Sequence, residues 1–92
     1  MAKATVGEIV KTARSELASL TGLDLSSTLA VNREEDGWRV SIELVEKHSL
    51  PNGMDVLATY EVKLDEEANV IGFDRTGLRK RVDAHMAGAA GT

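Results

Sequence analysis

The chain predicts an α+β domain in which an N-terminal amphipathic helix covers one face of an antiparallel meander of about four strands. Three observations predict it. Apolar residues recur at helical spacing through residues 6–20, and a capping pattern precedes them. The stretches that follow alternate apolar and polar residues between clusters of turn formers.

The helix comes first. In Thr5-Val6-Gly7-Glu8 the Thr5 hydroxyl and the Glu8 carboxylate can each satisfy a free backbone N–H. Val6, Ile9, Val10, Ala13, Leu17 and Leu20 form one stripe, with Lys3, Lys11, Arg14 and Ser15 on the other side. Gly22 ends the helix in the left-handed conformation, and Leu23 folds back on it.

A short strand around Leu29, Val31 and Arg33 follows, starting near Ser27. Glu34-Glu35-Asp36-Gly37 reads as a hairpin loop closed by a glycine tolerant of positive φ. In the second strand, 38–45, Trp38, Val40, Ile42 and Leu44 alternate with Arg39, Ser41 and Glu43, until Val45 places an apolar side chain outward. The third strand, 55–65, turns Ala58, Tyr60, Val62 and Leu64 inward and Leu57, Thr59, Glu61 and Lys63 outward; a fourth spans 70–75. Leu78, Val82 and Met86 fit a short C-terminal helix or a continued strand. Residues 1–86 read as one domain and 87–92 as a flexible Gly/Ala tail.

The outward faces of strands two and three leave a choice of register. Pairing Val45 with Leu57 joins the two outward apolar residues but sets Arg39 opposite Lys63. Sliding by two aligns Arg39 with Glu61 and parts the apolar pair. Val45 and Leu57 are then either a self-contained contact or part of a docking patch.

Composition narrows the function classes. The absence of cysteine excludes disulfides, thiolate metal sites and thiol nucleophiles. No apolar run approaches the roughly 20 residues that span a bilayer, and the first residues lack the apolar core of a signal peptide, which predicts a soluble, cytoplasmic protein. The net charge of −4 is unevenly spread. Residues 23–74 carry four basic and twelve acidic groups, residues 75–92 four basic and one acidic. An acidic sheet argues against nucleic acid as the partner, while Arg75, Arg79, Lys80 and Arg81 suit an acidic protein surface.

Catalytic patterns are sparse. His48 and His85 lie far apart, and no His-x-x-His or Glu-x-x-His spacing occurs, so neither metal nor cofactor is expected. Glu43 and Glu46 fall on opposite faces of a strand unless a bulge intervenes. The serines lack a nucleophile elbow, and the scattered glycines form no phosphate loop. The chain reads as a non-enzyme. The rival reading is a small enzyme or ligand-binding domain with a pocket holding His48, Asp55 or Tyr60; a third is a regulatory domain whose basic tail binds nucleic acid.

The run Gly37-Trp38-Arg39-Val40 through Ile42-Glu43-Leu44-Val45-Glu46, a Pro-containing loop, and then Asp55-Val56-Leu57-Ala58-Thr59-Tyr60-Glu61-Val62 with Leu64-Asp65 resembles the gas vesicle protein O (GvpO) family. The likeness covers roughly residues 16–81, with Leu20-Thr21-Gly22 similar to the family's helix end. Two segments depart from it: Lys47 to Pro51 lacks the usual arginine, and the end of the fourth strand lacks the usual tyrosine. The helix-then-meander order is similar to PepSY-type domains in topology alone. The resemblance implies a cytoplasmic, gas vesicle-associated assembly factor that binds other gas vesicle proteins, with no nucleic-acid or membrane partner. Its expected contacts are Val45, Leu57, Arg75, Arg79, Lys80 and Arg81, and its strand edges offer a route to weak self-association.

Overall fold

The computed structural model describes residues 4–48 and 54–80. Its elements are α1 (Val6–Thr21), β1 (Asp24–Glu34), β2 (Gly37–Lys47), β3 (Val56–Asp65) and β4 (Val70–Lys80). The capping pattern forms as the sequence predicts. Glu8 N–H donates to Thr5 Oγ1 at 3.2 Å and Thr5 N–H to Glu8 Oε1 at 2.8 Å, satisfying two donors that a helix start leaves unpaired. Bonding to the Thr5 backbone N–H, and then to its side chain, holds the Glu8 carboxyl below its ordinary pKa. At the other end Gly22 takes φ 72° and donates its N–H to Ala18 O.

All four strands pair antiparallel in the order β1-β2-β3-β4. The register between β2 and β3 is the one that joins Val45 to Leu57 and places Arg39 opposite Lys63. The like-charge contact is relieved from the sides: Arg39 Nη2 lies 2.9 Å from Glu34 Oε2, and its Nε lies 3.9 Å from Glu61 Oε1. Within its paired span each edge strand has two residues with no opposite number on its neighbour. On β1 they fall between Leu25 and Thr28 and between Thr28 and Ala30. On β4 they are Ile71 and Thr76. Such bulges bend and twist a sheet margin.

One face of the sheet meets α1. Ile9, Ala13 and Leu17 pack with Val40, Ile42, Leu44, Val62 and Leu64, and all eight are buried. Burying each of the larger aliphatic side chains stabilises by about 1.5–3 kcal/mol. Trp38 and Tyr60 border this core, as the alternation predicts, and the Arg33 guanidinium stacks 5.1 Å from the Trp38 ring. Arg33 also donates to Glu66 Oε1 at 2.8 Å, and Ala4 N–H donates to Glu66 O at 3.0 Å, so the start of α1 is fixed to the β3–β4 turn. That turn is organised by Asp65, whose carboxylate accepts from the Glu67 and Asn69 backbone N–H groups and from Asn69 Nδ2. These bonds, Asn69's foremost, hold the Asp65 carboxyl below its usual range. They also help offset Ala68 at φ 68°, a conformation costing a non-glycine residue about 1–2 kcal/mol.

Several sequence expectations need correction. β1 begins at Asp24 rather than near Ser27, and β4 continues past Arg75 to Lys80. Leu78 therefore lies in a strand, while Val82, Met86 and the expected tail at 87–92 lie outside the described residues. Both strands run longer than their apolar patterns because pairing with β2 and β3 templates them through polar stretches. Gly37 pairs with Glu34 inside the ladder, leaving only Glu35-Asp36 as the hairpin turn. Its need for glycine is steric: a Cβ there would collide with the Leu64 carbonyl oxygen.

Candidate interaction surface

The face of the sheet turned away from α1 carries the outward residues. Val45, Leu57 and Arg79 form one rung across β2, β3 and β4. Val45 is only 7% exposed and Leu57 only 1%, so the apolar pair is closed off in this conformation. Arg79 stands beside the pair, opposite Leu57 in the ladder. From β4 its guanidinium crosses β3 to reach Glu43 on β2, with Nη2 2.6 Å from Glu43 Oε2. The Glu43 side chain is 5% exposed, whereas that of Arg79 is 39% exposed. The carboxylate is thus buried beneath a cation that itself reaches solvent, and Oε2 receives the charge without an aligned N–H bond.

A second cluster closes the same end. His48 Nε2 lies 2.6 Å from Asp24 Oδ2, and its Nδ1 lies 3.9 Å from Asp55 Oδ2. The start of β1, the end of β2 and the approach to β3 are therefore tied together beside the Val45–Leu57 pair. The sequence suggests the His48–Asp55 approach but not Asp24, which is 24 positions away from His48 and becomes its neighbour only through the β1–β2 register. His48 and Asp24 keep 64% and 73% of their side-chain surface exposed, so solvent reaches the cluster. Among the described residues no group of three or more His, Cys, Asp or Glu side chains is placed to hold a metal ion.

The basic run does not form one patch. Arg79 stands opposite Leu57 and Lys80 opposite Val56, so successive side chains point to opposite faces of the sheet. Arg75, opposite Tyr60, reaches Glu46 at 2.9 Å. Arg81 lies outside the described residues. Sequence reasoning missed that Glu43 and Glu46 are the counterions of this run. Acidic residues three apart on β2 and arginines four apart on β4 were the available signal, and only the register joins them.

A family profile described as gas vesicle synthesis protein GvpO matches residues 1–85. The chain belongs to the GvpO family. Among similar curated proteins, gas vesicle protein O of Streptomyces sp. (strain CB03234) is 37% identical over 73 residues, covering 79% of this chain and 57% of that one. Gas vesicle protein O of Haloferax mediterranei is 38% identical over 48 residues, covering 52% and 34%. Gas vesicle protein O1 of Halobacterium salinarum is 27% identical over 71 residues, covering 77% and 60%. The matched segment therefore spans between about a third and three fifths of the length of these GvpO relatives. No solved structure matches the chain. No described helix of this GvpO-family domain is long and apolar enough to cross a membrane.

Proposed function

We propose that this chain acts in gas vesicle formation as a cytoplasmic, non-enzymatic assembly factor that associates with the vesicle by binding other gas vesicle proteins. The observation that carries the reading is the family match over residues 1–85. The geometry supports an interaction module. Arg39, Arg75 and Arg79 reach solvent while pairing with carboxylates of other strands, an arrangement suited to recognition more than to proton transfer in an enclosed site.

The binding margin is β4, which presents Arg79 on one face and Lys80 on the other, with Arg75 and Arg81 flanking them. Val45 and Leu57 form the apolar floor beneath Arg79. A partner carboxylate competing for Arg79 would expose that floor, so charge and apolar contact are coupled at one place.

The test is pairwise capture of the other gas vesicle proteins by the tagged full-length chain across a salt series. Lys80→Glu/Arg81→Glu is expected to lower capture by at least about tenfold with the melting temperature unchanged. Arg79→Glu alone leaves the Glu43 carboxylate buried and unpaired, so the exchange Arg79→Glu/Glu43→Arg separates folding from recognition. Capture of one gas vesicle protein that neither double variant alters removes the β4 margin from the account. Failure to capture any of them removes the binding role.

A further inference from the structure

The helix-bearing face of the sheet is larger than α1 can cover. The 16 residues of α1 run about 24 Å and occupy a width of about 10 Å. Strands of 10 and 11 residues run about 33–36 Å, and four of them spread over roughly 15–20 Å. α1 also crosses the sheet on a diagonal. It starts at the β3–β4 turn, where Ala4 bonds to Glu66, and ends at Gly22, from which the chain turns into β1.

The corner left over is the C-terminal half of β4 with the adjoining part of β3. By register Phe73 stands opposite Val62, Leu78 opposite Ala58 and Lys80 opposite Val56, all on the face that carries α1. Phe73 is 38% and Leu78 53% exposed, although Val62 and Ala58 beside them are buried. The Tyr60 ring lies 6.2 Å from that of Phe73 and extends the apolar strip towards the core.

We infer that this corner seats an amphipathic helix of another protein, lying beside α1 with acidic residues along its flank. Charge complementarity sets the flank: Lys80 shares this face and has no ion pair among the described residues, whereas Arg75 is paired with Glu46, and Arg79, from the opposite face, with Glu43. Backbone geometry sets the shape. The extra residues Ile71 and Thr76 interrupt the ladder of β4, which hinders an extended strand from adding along this edge, so the occupant lies on the face. A strip of Tyr60, Phe73 and Leu78 suits the apolar stripe of one helix. This surface is separate from the Val45–Leu57 floor on the opposite face, and its test requires no gas vesicle protein.

The isotope-labelled full-length chain is titrated with synthetic helices of about 18 residues, long enough to hold helical structure. One carries a leucine face flanked by glutamates, one the same face flanked by lysines, and one the glutamate version interrupted by a central proline. The glutamate-flanked peptide is expected to shift the resonances of Phe73, Leu78 and Lys80 and to bind at least about fivefold tighter than the others. Phe73→Ser/Leu78→Ser should weaken it at least about tenfold. Because both residues are exposed, Trp38 emission and the thermal midpoint should be retained, and Lys63→Ser on the opposite face should alter binding by less than about twofold.

Equal affinity for the three peptides overturns the inference, as does unchanged affinity in the double variant. It also fails if the free protein already fills the corner. A second copy would appear as a doubled mass that Leu78→Ser abolishes, and residues 81–92 would appear as nuclear Overhauser contacts to Leu78.

Discussion

β1 and β4 are each 11 residues long, each lies at a sheet edge, and each has two residues with no opposite number in its ladder. Their surroundings differ. On β1, Leu25 and Val31 pack into the core, and Arg14 of α1 donates to Thr28 Oγ1 at 2.9 Å and Ser26 O at 3.1 Å. On β4, every residue from Phe73 to Lys80 is exposed, and its side-chain anchors are Thr76 to Thr59 O on β3 and the ion pairs Arg75–Glu46 and Arg79–Glu43 to β2. The difference teaches where a single helix chooses to lie. Gly22 and Leu23 tether the end of α1 directly to β1, so the helix closes that side and leaves the far end of β4 to other surfaces.

Ways to break this contrast can be ordered by size. Ile42→Ala removes buried volume at the centre, under α1, and should lower stability by about 2–5 kcal/mol in denaturant titrations. Gly37→Ala forces a Cβ against the Leu64 carbonyl and should cost about 1–3 kcal/mol while disturbing the β2–β3 pairing, visible as loss of hydrogen-exchange protection there. Arg14→Met unstitches α1 from β1 and should cost about 1–2 kcal/mol, discounted for partial exposure, with β1 amides exchanging faster than those of β4. Folding lowers the Glu8 pKa, so the capping box contributes stability above the ordinary carboxylate range and loses it as acid protonates the folded form. Glu8→Ala should therefore flatten the acid limb of the stability–pH curve relative to the parent. Leu78→Ser, on the open side, should change stability by no more than about 0.5 kcal/mol. A large loss there would show that the β4 corner is structural after all.

The sequence made the central layer legible because β2 and β3 alternate apolar and polar residues, from Trp38 to Leu44 and from Ala58 to Leu64, and their apolar members face α1. It left the register open because the pairwise comparison of Arg39 with Lys63 omits third parties. Glu34 across the hairpin and Glu61 on the diagonal both reach that guanidinium. The edges were less legible. Residues 75–80 alternate nothing apolar except Leu78, and a strand held by its neighbour's backbone needs no pattern of its own. For the candidate surface, the residues were visible but their arrangement was not. Val45 and Leu57 were readable as an outward pair, whereas the Arg79–Glu43 ion pair beside them joins residues that are 36 positions apart in sequence.

β1 and β4 each hold two surplus residues against their neighbours, β2 holds one, Glu46, against β3, and β3 holds none. Each such insertion bends its strand and steepens the local twist, so the two margins do not run as straight ladders. A second strand pairing along either margin would meet an interruption within a few residues. The surplus positions at the margins thus limit how far a foreign strand could extend this sheet.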